Sequence, residues 1–340
     1  MRLLSEHDVA RLIDPELAIE CAETAFVQQL SGASLVRGRL DMRRASPRAG
    51  VLGVAGFGHD DSQLIIKTNC HGWPQADGPR VTRSLLTLWD MAEVRPISLI
   101  SAECFNDHRT AAGFAAAAKV LAPAAASTLA IFGAGKMAMP ALLYLLKVRS
   151  IRRVLIVGRN AERAEAMVAL ARVLPALSGV EVSVARDAAE AAAQADILVT
   201  VTTSDTPVFP GEAVRDGALV ILGGANRPGA READDALIRR AIIYTDHTEG
   251  ALEKAGDLIM PLAAGVIDKR AIAGEIGALI GLGQSLPTPA AGAVTVFKSI
   301  GIALQDLVLA HALLARAEAR GLGTSFDAEG ASIPEETGQA

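Results

Sequence analysis

The spacing of apolar residues changes character twice along the chain. From Ser5, "SEHDVARLIDPELAIECAETAFVQQLSG" sets apolar residues at helical spacing behind a Ser cap with an acid three positions on. One helix ending at Gly32 is expected. Between 33 and about 100 the apolar residues gather in short runs, "GVLGVAGFG", "QLIIKTNC" and "TRSLLTLWDM", bounded by Gly, Asp and Pro. These predict strands of a mixed or antiparallel sheet. "NDHRTAAGFAAAAKVLAP" then predicts a helix that stops at Pro123.

Beyond Pro123 the rhythm alternates. Strands are expected at "TLAIFG", "RRVLIVG", "VEVSVA", "DILVTVT", "GALVILGG" and "AIIYTD", with helices over 136–147, 161–173, 187–195 and 234–240. Strands alternating with helices imply a doubly wound parallel sheet. "AVTVFKSIGIALQDLVLAHALLARAEARG" carries apolar residues on one helical face and predicts a long helix from 293. The fold class expected is α/β, a Rossmann-type parallel sheet inserted in an α+β substrate-binding and dimerisation domain. Residues 1–122 with 303–330 would form that outer domain, 123–302 the dinucleotide-binding domain, and 331–340 a disordered tail.

Composition narrows the class. A chain of 340 residues that is 51% hydrophobic can bury two cores. The net charge of -5 offers no footprint for nucleic acid or an anionic membrane; the basic stretch "RGRLDMRRASPR" has the bland reading of a solvated loop or edge strand beside a functional one. Cys21, Cys70 and Cys104 are scattered without metal-ligand spacing, as are the six histidines, so reduced thiols and no metal site are expected. Acids occur throughout the first 26 residues, unlike a signal peptide, and the longest low-charge stretch is interrupted by Lys119, Pro123 and Lys136. The expectation is a cytoplasmic protein.

The chemistry concentrates at "IFGAGKMA", where Gly133, Gly135 and Ala138 form G-x-G-x-x-A between a strand and a helix. The first glycine permits the tight turn, the second lets a pyrophosphate approach the backbone, and the helix N-terminus faces the phosphates. At the end of the second strand an NAD site usually has an acid for the ribose 2′-OH. This chain has Gly158, Arg159 and Asn160 there, with Arg163 one turn later. A guanidinium can grip a 2′-phosphate that a carboxylate would repel, so NADP(H) is favoured, with NAD(H) possible. The alternative for Arg159 is a solvated residue at a strand end.

The segments "LIIKTN", "NDHRTAAGFAAAAKVLA", "LAIFGAGKMA", "GGANRPGARE", "EKAGDL" and "TVFKSIGIALQDL" together resemble the ornithine cyclodeaminase/mu-crystallin family over nearly the whole chain. The resemblance implies a dimerising substrate domain plus a Rossmann domain, and a homodimer. It also implies that Arg39, Lys67 and Arg109 surround a substrate carboxylate. Lys67 within an apolar strand needs a partner, and Arg109 at a helix start opposes the helix dipole; a bound anion would explain both. The alternatives are the solvated face of an edge strand for Lys67 and a capping turn for Arg109, while Arg37, Arg43 and Arg44 compete with Arg39. The cofactor-binding set expected is Thr110, Gly133, Ala134, Gly135, Lys136, Met137, Arg159, Asn160, Arg163 and Ser299. His108 beside Arg109 reads more readily as structural than as an acid.

Departures from the family pattern direct the function. Cyclodeaminases carry an aspartate in the segment where this chain has Asn226, and a glutamate where Gly53 stands, with Ala55 and Gly56 in place of the usual Met-Pro. Asparagine cannot accept a proton at neutral pH. The resemblance then implies NADPH-dependent reduction of a cyclic 2-imino acid, Δ1-pyrroline-2-carboxylate, Δ1-piperideine-2-carboxylate or a related ketimine, to the L-amino acid. Lys67, Arg109 and Asn226 are the expected catalytic set; Asn226 reads alternatively as a turn residue before "RPG". Competing expectations are an ornithine cyclodeaminase, an alanine-dehydrogenase-like enzyme, or a non-catalytic NADPH-binding protein of the mu-crystallin type.

Overall fold

The computed structural model describes residues 1–31, 39–44, 49–58, 62–73, 81–282 and 292–328, with the backbone alone at 39–41 and 43. The expected tail over 331–340 lies outside the described residues. The chain divides by contact into two compact units, one from the described residues of 1–13, 35–105 and 310–340, the other from those of 14–34 and 106–309.

The first unit is built on a seven-stranded sheet. Its strands are β1 (Arg2–Leu4), β2 (Arg39–Arg44), β3 (Ala49–Phe57), β4 (Gln63–Gly72), β5 (Val81–Asp90), β6 (Arg95–Ser101) and β15 (Thr324–Ser325). They lie in the order β15-β1-β6-β5-β4-β3-β2. From β2 to β6 each neighbour is antiparallel, as the short apolar runs predict. In β5, Leu86 and Leu88 are buried while Arg83 and Leu85 are exposed, so alternation sets which face is covered. Helix α1 (Glu6–Leu12) begins at a capping box between Ser5 and Asp8.

The single helix expected at the start is two. Asp14 Oδ1 accepts from Leu17 N at 2.8 Å and Pro15 opens α2 (Pro15–Gln29), so the chain caps and restarts after Ile13. Helix α2 groups with the second unit, where Phe26 meets Phe297 edge-to-face with ring centroids 6.3 Å apart.

In the second unit eight parallel strands are described: β7 (Thr128–Phe132), β8 (Arg153–Val157), β9 (Glu181–Val184), β10 (Ile197–Thr200), β11 (Leu219–Leu222), β12 (Ala241–Thr245), β13 (Ile272–Glu275) and β14 (Val294–Lys298). Their order is β13-β12-β14-β11-β10-β7-β8-β9, so the direction of winding reverses between β7 and β10. Every residue of β10 and β11 is buried, which is why these segments read as unbroken apolar runs. Helices α3 (Glu103–Leu121), α4 (Ala138–Leu145), α5 (Ala161–Val173), α6 (Ala188–Gln194), α7 (Asp235–Arg239), α8 (Thr248–Lys254), α9 (Gly256–Ala263), α10 (Ile276–Gly281) and α11 (Ala303–Arg320) complete the described helices. The α/β class with a Rossmann-type parallel sheet is the one expected.

The long helix expected from 293 is corrected. Residues 294–298 are β14, paired to β11 on one side and β12 on the other, and α11 starts at Ala303. Val294, Thr295 and Val296 are β-branched, and pairing on both edges outweighs their helix-like spacing. Gly301, at φ +74°, turns the chain between strand and helix.

Candidate functional site

Of the expected site residues in the second unit, those at 133–137, 159–163, 226 and 299 follow the carboxyl ends of β7, β8, β11 and β14, where open α/β sheets bind ligands. After β7 the chain turns at Gly133, whose φ is +113° and whose amide donates to Val157 O at 2.8 Å. A side chain there would press on the Val201 carbonyl, 2.9 Å from an ideal Cβ, so the turn requires glycine. At Gly135 no atom lies within 4 Å of such a Cβ, which leaves the backbone open to an approaching group. Helix α4 then begins at Met137 without a side-chain cap, so its first amides are available to an anion. This open cradle, bounded by Ala134 and Gly135, fits a pyrophosphate.

Lys136 is exposed and pairs with Asp107 of α3 at 3.0 Å, which brings the glycine turn to the start of that helix, beside Arg109 and Thr110. Thr110 is half-buried. Past β8, Arg159 and Arg163 are exposed and form no ion pair among the described residues. Asn160 is the N-cap of α5, its Oδ1 accepting from Arg163 N at 2.9 Å. That bond presents Arg163 from the first turn of the helix.

Asn226 and Ser299 face each other across the ends of β11 and β14. The Asn226 amide is assigned with nitrogen toward the carbonyls of Ala225 and Ser299, at 3.1 and 3.2 Å, because both groups it meets are acceptors. Ser299 is buried and its hydroxyl donates to Asp246 at 3.0 Å. Asp246 also accepts from the amides of His247, Ile300 and Gly301 at 2.8–2.9 Å. Burial pushes its carboxyl up, against the pull of these donors.

Beneath Asn226 lies a network of fully buried charge that sequence reasoning missed. Lys298 Nζ donates to Asp257 Oδ2 at 2.9 Å and to Ala225 O at 2.7 Å. Asp257 Oδ1 accepts from the amides of Glu232 and Ala233 at 2.6 and 3.0 Å. The Glu232 carboxylate accepts from Thr200 Oγ1 and from Thr202 Oγ1 and N, and from the amides of Gly224 and Ala225, all at 2.7–3.0 Å. Three charged groups thus tie together the ends of β10, β11 and β14. Only Lys298 carries a signal in the sequence, as a lone charge closing the apolar run "AVTVFK"; Glu232 and Asp257 sit among other charged and polar residues.

Arg109 sits in the first half of α3, and its Nε lies 3.1 Å from Asp306 of α11. Its neighbour His108 holds Nδ1 2.6 Å from the Tyr144 hydroxyl, which donates to it when the imidazole is neutral. Burial lowers the His108 pKa, which favours that neutral form.

In the first unit Lys67 is on β4, paired with Val54 of β3 and Leu86 of β5. It is buried and its strand is internal, which removes the edge-strand alternative. Arg39 and Arg43 lie on β2 with only their backbone described, Arg44 is exposed, and Arg37 is outside the described residues. Gly53, Ala55 and Gly56 occupy β3, so no side-chain acid projects there. None of the three cysteines is in a disulfide. Among the described residues no helix is long and apolar enough to cross a membrane, and no group of three or more His, Cys, Asp or Glu could hold a metal.

Comparison with known proteins agrees with this architecture. A family model described as ornithine cyclodeaminase/mu-crystallin matches residues 2–321. The chain is 32% identical over 330 residues to a Δ1-pyrroline-2-carboxylate reductase of Bacillus cereus, covering 96% of this chain and 100% of that one. It is 34% identical over 224 residues to the ketimine reductase mu-crystallin of Mus musculus, covering 66% of each chain. Among solved structures, Δ1-pyrroline-2-carboxylate reductase of Thermococcus litoralis in complex with NADH and L-proline superposes with a TM-score of 0.86 at 28% identity, over 96% of this chain and 100% of that one.

Proposed function

This chain belongs to the ornithine cyclodeaminase/mu-crystallin family, and we propose that it reduces a cyclic 2-imino acid to the L-amino acid with a nicotinamide cofactor, NADP(H) in preference to NAD(H). The observation that carries the choice of reaction is Asn226. Its amide nitrogen faces two backbone carbonyls, so the position supplies a donor and no proton-accepting carboxylate. Gly53 likewise supplies no acid. Cyclodeamination needs such groups, whereas reduction of an iminium carbon already protonated on nitrogen does not. The similarity to pyrroline-2-carboxylate and ketimine reductases supports the same reading.

The residues divide the work by charge. The turn 133–137 and the uncapped start of α4 receive the pyrophosphate. Arg159 and Arg163, both exposed, after β8 and in the first turn of α5, take the 2′-phosphate. Arg109 holds the substrate carboxylate, and the resemblance to the family gives Lys67 and Arg39 a substrate-binding role. Thr110 and Ser299 line the cofactor side, and Asn226 keeps the Ser299 backbone in place. The nicotinamide, when bound, supplies the hydride; the protein supplies orientation and charge.

The same reading makes the protein a cytoplasmic homodimer. Leu64, Ile66, Leu85 and Trp89 lie on one face of the first sheet, with Leu85 half exposed at 49%, and a second copy of that face would cover them. Three unbridged cysteines suit a reducing compartment.

Arg109→Met tests the assignment. It should abolish most imino-acid turnover while leaving NADPH affinity, measured by fluorescence titration, nearly intact. Collapse of NADPH affinity with unchanged substrate affinity would move Arg109 to the nucleotide site.

A further inference from the structure

The Arg109 guanidinium is held from one edge only. Asp306 approaches Nε at 3.1 Å, its carboxylate only 5% exposed, while no described residue offers an acceptor to either terminal nitrogen of Arg109. Such an arrangement neutralises the inner edge of the fork and leaves the outer edge, the one that fits a carboxylate through two parallel hydrogen bonds. A second contact fixes the direction. Gly301 lies against the guanidinium so closely that a Cβ built there would overlap Nη1, and its φ of +74° disfavours any side chain.

The segment bearing Gly301 is itself anchored. Buried Asp246 accepts from Ser299 Oγ at 3.0 Å and from the amides of Ile300 and Gly301 at 2.8 Å each. Gln305 Oε1 accepts from Ile302 N at 3.1 Å, and its Nε2 donates to the Arg109 carbonyl at 3.4 Å. The connection from β14 to α11 therefore meets Arg109 at backbone and side chain alike.

We infer that Asp306 and Gly301, with Asp246 anchoring the latter, are positioning residues that aim the outer edge of Arg109 at the carboxylate of the substrate. The inference rests on the reading of Arg109 as a carboxylate-binding residue and extends it to groups that touch no substrate. Asp306 acts by charge at Nε, Gly301 by the absence of a side chain, and Asp246 by holding the turn.

The test compares Asp306→Asn, which keeps shape and removes charge, with Gly301→Ala and with Arg109→Met, alone and combined. Full-length protein is assayed with Δ1-pyrroline-2-carboxylate and NADPH, and L-proline binding to the NADP+-loaded protein is measured by calorimetry. Asp306→Asn should raise KM about tenfold, as for loss of one charge-assisted contact, and weaken L-proline to match, with NADPH affinity near that of the parent; the melting temperature falls as well, because Arg109 loses its buried partner. Gly301→Ala should act in the same direction; if it fails to fold, Asp306→Asn carries the test. Adding Asp306→Asn to Arg109→Met should cost nothing further, because the two act through one contact. Normal turnover by the parent, with Asp306→Asn unchanged in KM and L-proline affinity, would overturn the inference alone. No turnover of any cyclic imino acid by the parent would overturn the proposed function and the inference with it.

Discussion

Lys298 and Asp257 form an ion pair of 2.9 Å in which neither side chain has any solvent exposure. One residue closes the central strand β14 and the other opens α9, so the pair joins elements 41 residues apart in the chain. Each partner also bonds to backbone, Lys298 at Ala225 O and Asp257 at the amides of Glu232 and Ala233. Removing one partner strands the other in a dry interior. Lys298→Met should therefore cost about 3–5 kcal/mol of unfolding free energy, measured by urea denaturation. The double variant Lys298→Met/Asp257→Asn should lose less than the two single losses added together; strict additivity would mean that the pair does not act as a unit.

His108 provides a pH-dependent prediction. Burial lowers its folded pKa below the ordinary 6.5. Between that lowered value and 6.5 the unfolded chain binds more protons than the folded one. The fold is therefore fully stable with respect to this group above 6.5 and loses stability as pH falls through that window. In His108→Gln, which still accepts from Tyr144, the plot of unfolding free energy against pH from about 5 to 7 should be flatter than in the parent. An unchanged slope would show that His108 contributes none of it.

The sequence made the parallel sheet and its glycine turn legible because apolar runs, Gly133 and a helix follow one another locally. It misled where tertiary context decides. The run "AVTVFK" has helical spacing when read with α11, yet its place between β11 and β12 makes it a strand. Ile13 to Pro15 was readable as a cap and restart, but the apolar period continues across it. The glycine turn and the arginines after β8 needed only local pattern. Asp246, Glu232, Asp257 and Asp306 did not stand out, because a lone acid shows its role only through donors brought from distant segments. Asn226 stands out in the sequence as a departure from the family pattern, but that its amide braces two backbone carbonyls shows only in the fold.

Cofactor choice is tested at Arg159. Arg159→Asp replaces an exposed cation at the end of β8 with an acid suited to a ribose hydroxyl. Losing a charge-assisted bond of about 1.5–3 kcal/mol should weaken NADPH use roughly ten- to a hundredfold while leaving NADH use near its parent value. Steady-state kinetics with both cofactors measures the ratio, and an unchanged ratio would remove Arg159 from the 2′-phosphate site.

With no acid at position 53 or at position 226, the protein should reduce imines and leave amino acids uncyclised. The most direct test is a paired assay on the unmodified protein: L-proline formed from Δ1-pyrroline-2-carboxylate with NADPH, and ammonia released from L-ornithine with NAD+. A positioned acid or base is typically worth about 10²–10⁴ in rate, so proline formation should be brisk in the first assay and ammonia near background in the second. Efficient ammonia release from ornithine, with no NADPH consumed on the imino acid, would contradict this expectation.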